Sequence, residues 1–139
     1  MNKIKIIVLF ICTVFLSSCL HELLGESIDN GSEEIKIVNN SELELYNQMI
    51  LETPSYYPYP PNETDFIPSK GSHSTKADFR KYLKNKMCYI WLFDKKVLDS
   101  LSWKEVTEKN LYVKRYDLSL QDLEEMNWTI IFNNEKNIE

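Results

Sequence analysis

Met87-Cys88-Tyr89-Ile90-Trp91-Leu92-Phe93 is a run of seven residues without a charge, bounded by Lys86 and Asp94. It is far shorter than the roughly 20 apolar residues needed to cross a bilayer. It also lacks the polar alternation of a strand with one wet face, so it reads as a central β-strand covered on both sides. Asp94 ends it, and Val97 to Lys109 then reads as helical with a possible break at Ser102. Ser102-Trp103-Lys104-Glu105 has the form of a capping box, in which serine and glutamate satisfy each other's orphan backbone donors. Leu98, Leu101 and Val106 would face inward.

Further along, Leu111 to Tyr116 (LYVKRY) reads as a second strand, in which Lys114 or Arg115 is expected to pair with a sheet carboxylate. Ser119 opens a short helix with Leu120, Leu123 and Met126 on one stripe, and Asp117 and Asp122 complement its dipole. Trp128 to Phe132 closes the fold as a last strand, and residues 134–139 read as a disordered tail.

Towards the N-terminus, Thr75 to Asn85 places Phe79, Tyr82 and Leu83 at helical spacing, with Thr75 and Asp78 as a capping pair. Five cations gather there: Lys76, Arg80, Lys81, Lys84 and Lys86. A solvated helix surface explains them more simply than an acidic partner. Ile35 and Ile37, then Leu43 and Leu45, alternate with polar residues around Asn39-Asn40-Ser41, the pattern of a β-hairpin. Thr53 to Pro68 holds all five prolines and Tyr56, Tyr57 and Tyr59. Proline removes ladder donors, so this is a loop or polyproline-II segment. Its tyrosines either cover one end of the core or form a binding surface for peptide or sugar. The tally of short strands and about three short helices defines an α+β domain, a small antiparallel sheet or β-sandwich-like domain over residues 35–133. No internal repeat is visible.

The first nineteen residues differ in kind. Lys3 and Lys5 precede Ile6 to Leu16, eleven residues without a charge, which is the signal-peptide pattern. Leu16-Ser17-Ser18-Cys19 resembles the lipobox of bacterial lipoproteins. The resemblance implies a signal peptide over 1–18, cleavage before Cys19 and lipid on its sulfur and amine. Two or three acyl chains anchor a protein durably where one does not. Residues 19–34 then form the lipidated cysteine and an acidic tether.

Cleavage would remove Lys3 and Lys5 and no acid, taking the chain from 139 residues at net charge −5 to 121 residues at −7. No basic patch is left for a nucleic-acid partner. Cys12 would leave with the signal and Cys19 would carry lipid, so Cys88 alone would remain and no intramolecular disulfide could form. Its apolar surroundings mark a buried structural thiol.

The pattern Ser102-Trp103-Lys104-Glu105, Lys114-Arg115-Tyr116-Asp117-Leu118, Asn127-Trp128-Thr129-Ile130 resembles the C-terminal half of small Bacteroidales-type envelope lipoproteins. That resemblance implies an outer-membrane lipoprotein of a Gram-negative bacterium and carries over no catalytic residue.

Chemistry is sparse. His73, in a Lys-Gly-Ser-His-Ser loop, is the one histidine outside the tether, and a dyad with Ser72 or Ser74 is the only nucleophile–base pair on offer. No metal-ligand spacing occurs, and Gly71, the lone glycine after the tether, excludes a phosphate-cradling loop. Asp94 and Asp117, at strand ends, are the least implausible catalytic carboxylates. Four Asn-x-Ser/Thr sequons, at Asn30, Asn39, Asn62 and Asn127, read as chance. The expectation is a non-enzymatic, membrane-anchored binding or scaffold domain with no cofactor, whose partner is an envelope protein or a glycan. The rivals are a glycan-binding accessory subunit using Tyr56, Tyr57 and Tyr59, and a small hydrolase using His73.

Overall fold

The two apolar runs flanking Asn39-Asn40-Ser41 do not pair with each other. A computed structural model describes residues 31–51 and 59–134, and the chain divides after Gly31 into two units, of which Ser32–Glu139 holds every element named here. Seven strands run in chain order: β1 Glu33–Asn39, β2 Leu45–Ile50, β3 Phe66–Ile67, β4 Ser72–Ala77, β5 Cys88–Asp94, β6 Lys114–Leu118 and β7 Thr129–Phe132. Among them lie helices α1 Phe79–Tyr82, α2 Lys95–Ser100, α3 Trp103–Glu108 and α4 Leu120–Glu125, and a 3₁₀ turn at Glu63–Asp65. One sheet has the order β4-β1-β7 and the other β3-β2-β5-β6. Every pairing is antiparallel except β1 with β7. The protein is an α+β domain built on two facing small sheets.

The expected hairpin is therefore a crossing between sheets, and Asn39 is the reason. It is fully buried. Its Nδ2 donates to the carbonyls of Leu43 (2.7 Å) and Pro68 (3.0 Å), while its Oδ1 accepts from the N–H (3.0 Å) and hydroxyl (2.6 Å) of Ser41. The N–H of Asn40 meanwhile donates to Phe132 O on β7. These bonds satisfy the backbone of a step from sheet to sheet, where a hairpin would have returned the chain to β1. They also leave the Asn39 amide inaccessible to modification.

β5 is the central strand its composition predicts, held between β2 and β6. Cys88, Ile90 and Leu92 pack with Ile35, Ile37, Ile130 and Phe132 of the other sheet. On the opposite face, Trp91 and Phe93 pack with Val106 under α2 and α3, which add Val97, Leu98, Leu101 and Trp103. Burying both faces explains the charge-free run: a large apolar side chain removed from water contributes about 1.5–3 kcal/mol. The pairing expected for β6 is present too. Arg115 grips Asp117 at two points (2.6 and 2.9 Å) and lies over Trp91, 5.2 Å from its ring centre.

The segment expected as a helix from Thr75 is in part a strand. Ser72–Ala77 pairs with β1, with Lys76 opposite Glu34 and His73 opposite Ile37. Asp78 is itself the N-cap of α1, accepting from Lys81 N at 3.3 Å, so the Thr75–Asp78 capping pair does not form. A polar edge strand with Ser72, Ser74 and Lys76 outward carries almost no sequence signal, and such polarity is how sheet edges avoid unwanted pairing. β6, the strand that follows β5, also starts later than expected, at Lys114 in place of Leu111.

The helical stretch after β5 does break, into α2 and α3, because Leu101 is extended and Ser102 caps the next turn. The described residues hold four helices where three were expected. A short repeat also emerges: SWKEVTEKNL (102–111) and SLQDLEEMNW (119–128) share one construction. Each begins with a closed capping box, Ser102 with Glu105 and Ser119 with Asp122. Each ends at an asparagine in the left-handed region, Asn110 (φ 51°) and Asn127 (φ 48°). The closing bonds run from Leu111 N to Val106 O (2.9 Å) and from Trp128 N to Leu123 O (2.8 Å), which is the Schellman pattern. Trp128 is itself at φ 57°. It is held there between the Phe79 ring, 6.1 Å away, and the Arg80 guanidinium, 5.5 Å away.

Candidate functional site

β3 pairs only with Leu45 and Tyr46 of β2, so the rest of β2 has a ladder on one side alone. β4 is the outermost strand of its own sheet. Between these two edges opens a cavity of about 390 Å³ whose lining includes Asn47, Met49, Tyr59, Asn62, Asp65 and Thr75.

The segment after the proline-rich loop is tied to β2 by two adjacent amides. Asn47 Nδ2 donates to Asp65 O at 2.8 Å, and Gln48 Nε2 donates to Tyr59 O. Asn62 organises the turn between these ties: its Oδ1 accepts from Thr64 N (2.8 Å), and its own N–H donates to Asp65 Oδ2 (2.9 Å). Residues 59–65 thus roof the free edge of β2. Gln48 Oε1 is buried and accepts no hydrogen bond among the described residues. Asp65 is the one charged residue lining the cavity among the described residues. Pro60 and Pro61 border a second groove as well, about 230 Å³, walled by Tyr46, Leu98 and Trp103.

The residues singled out in the sequence are distributed as follows. Leu16, Ser17, Ser18, Cys19, Tyr56 and Tyr57 lie outside the described residues. Tyr59 is 74 % exposed at the cavity rim. His73 does not meet Ser72 or Ser74, because strand alternation turns it inward while both serines face solvent. Its Nε2 instead lies 3.2 Å from Thr75 Oγ1, one inward position along β4. Asp94 caps α2, accepting from Lys96 N at 2.9 Å, and Asp117 is held by Arg115. Of the clustered cations, Lys76 pairs with Glu34 (3.5 Å), and Arg80 with Glu33 (2.7 Å) and Glu124. Cys88 is buried, and burial pushes its thiol up to about 12. No group of three or more potential metal ligands occurs among the described residues.

The cavity's polar lining was not anticipated. The one signal for it was Asn47, which takes an inward position between the inward-facing Leu45 and Met49 in Leu45-Tyr46-Asn47-Gln48-Met49-Ile50. A polar residue at a core position of an alternating strand is the exception that marks a site or a buried network.

The fold and the cavity define a small α+β domain of two facing sheets with a cleft at one open edge. Comparison with protein-family models, with curated proteins and with solved structures gave no match.

Proposed function

We propose that this chain is a lipid-anchored lipoprotein of the bacterial envelope, in the outer membrane of a Gram-negative cell by the resemblance noted above, and that its folded part is a non-enzymatic binding domain. The observation that carries the reading is Leu16-Ser17-Ser18-Cys19 at the end of an eleven-residue apolar run behind Lys3 and Lys5. An acidic mature chain would be repelled by anionic headgroups, so acyl chains on Cys19 would supply the attachment.

Binding is favoured over catalysis by where the reactive groups sit. His73 and the serines Ser72 and Ser74 point to opposite sides of β4, and a thiol raised by burial is a poor nucleophile. A cleft bordered by an exposed aromatic favours recognition. The second reading, a glycan-binding accessory subunit, draws on Tyr59 at that rim.

The anchor is tested by growing cells with a labelled fatty acid. Wild-type protein takes up label, whereas Cys19→Ser takes up none and accumulates as the uncleaved precursor. Labelling that persists in Cys19→Ser removes the proposal.

A further inference from the structure

The cavity between β2 and β4 is lined by amide, hydroxyl and aromatic side chains beside a single carboxylate among the described residues. Asn47, only 2 % exposed, lines it and spends its Nδ2 on Asp65 O. Its Oδ1 remains as an acceptor. Beside it Gln48 Oε1 is buried and has no partner among the described residues; buried amide oxygens are ordinarily paired, so this stretch of the lining offers acceptors to a ligand donor. The Asp65 carboxylate adds a further acceptor. Among the described residues no Lys, Arg or His lines the cavity, so an anion would find no counter-charge from them. At the rim Tyr59 exposes its ring, and Pro60 and Pro61 add flat apolar faces. The volume, about 390 Å³, falls within the range of small-ligand sites.

The geometry points to a site for a neutral, hydroxyl-rich ligand, one residue of a glycan chain. One hydroxyl donates to Asn47 Oδ1, another to the Asp65 carboxylate, and the apolar face of the sugar ring stacks on Tyr59. A neighbouring sugar residue fits the adjoining groove, where Tyr46 and Trp103 form the walls beyond Pro60 and Pro61. This rests on the binding-domain reading and names the ligand class. It moves the recognition surface from a tyrosine cluster on the loop to a cleft floored by Asn47.

The test uses full-length lipidated protein in a sugar-free zwitterionic detergent. It is titrated with neutral gluco-, manno-, galacto- and xylo-oligosaccharides and N-acetylglucosamine oligomers, with polygalacturonate as the anionic control. At least one neutral series binds, and Tyr59→Ala, a change at the exposed rim, weakens that binding at least tenfold without moving the melting temperature. Asn47→Leu, which keeps volume and removes the acceptor, weakens it by at least as much. Its melting curve is recorded alongside because the tie to Asp65 is also lost. Binding unchanged in Tyr59→Ala overturns the assignment, as does polygalacturonate binding as tightly as the neutral series. Protein that carries the fatty-acid label yet binds no neutral saccharide overturns the glycan site while leaving the anchor reading in place.

Discussion

Asn39 holds Ser41 through both the N–H and the hydroxyl of that residue, at 3.0 and 2.6 Å, at the point where the chain leaves one sheet for the other. Four hydrogen bonds converge on this one buried amide, and they join β1, the start of β2 and the segment at Pro68. Asn39→Ala leaves the Leu43 carbonyl and the Ser41 N–H without their partner, while Pro68 O keeps the N–H of Gly71. A buried group left unpaired costs about 1–3 kcal/mol, so the expected loss is roughly 3 kcal/mol or more. Urea unfolding of the variant measures it; a midpoint within error of wild type contradicts the role given to Asn39.

Asn110 and Asn127 both stand at left-handed backbone positions at the ends of α3 and α4. Alanine there pays the left-handed penalty of about 1–2 kcal/mol, whereas glycine adopts the conformation freely. Asn110→Ala and Asn127→Ala should each lower stability by about 1 kcal/mol, and the matching glycine variants should stay close to wild type. Equal effects of alanine and glycine would show that the side-chain amide, and not the backbone angle, matters.

Acid sensitivity follows from the two capping boxes. The Ser102 hydroxyl, and then its backbone N–H, hold the Glu105 carboxyl below its ordinary value, and Ser119 does the same for Asp122. A carboxylate whose pKa is lower in the folded state stabilises the fold above its unfolded pKa, and that stability is lost as pH falls through the folded one. The melting temperature should change little from neutral pH down to pH 5 and drop below roughly pH 4. In a Ser102→Ala, Ser119→Ala chain the carboxyls lose the hydroxyl bonds, keep the backbone N–H bonds and move back toward ordinary values, so the drop attributable to them shrinks. An acid limb of the same depth in both proteins argues against this source.

Cys88 should be inert in the folded protein. With the thiol near 12, almost none is thiolate at pH 8, whereas an unfolded cysteine titrates at about 8.5. Alkylation by iodoacetamide, followed by mass spectrometry of the Cys88 peptide, should be slow in native protein and fast in denaturant. Comparable rates in the two conditions would mean that the thiol is reached by solvent.

The core around β5 gives a final contrast. Leu92 is fully exposed to neither solvent nor helix, packing between the sheets at 0 % accessibility. Leu92→Ala opens a cavity and should cost about 2–5 kcal/mol. Tyr59→Ala, at the rim of the cleft, should leave the unfolding midpoint unchanged. Chemical denaturation of the two variants side by side separates scaffold from surface.

Much of this architecture is legible in short stretches of sequence. The run 87–93 names its own central strand, because a short charge-free run without polar alternation fits a strand covered on both faces. Ser102–Glu105 and Ser119–Asp122 name their own helix starts, since a capping box is closed by residues three apart. The α+β class follows from these local signals, and the lipobox reading rests on sequence alone. The site was barely legible: Tyr59 stood out as an aromatic in a proline-rich loop, but Asn47 meant little until its neighbours in space were known.

Only the tertiary structure decided which strands pair. β1 takes β4 on one side and β7 on the other, and the β7 partner comes from the far end of the folded chain. Alternation sets which side chains of a strand face inward, and it is silent about the partner. β4 is too polar to declare itself because it lies at an edge. The cleft exists because β3 stops after two residues and leaves β2 uncovered opposite β4. A strand edge, a cavity and an unsatisfied amide are each defined by residues remote in sequence, so they become visible only when the sheets are assembled.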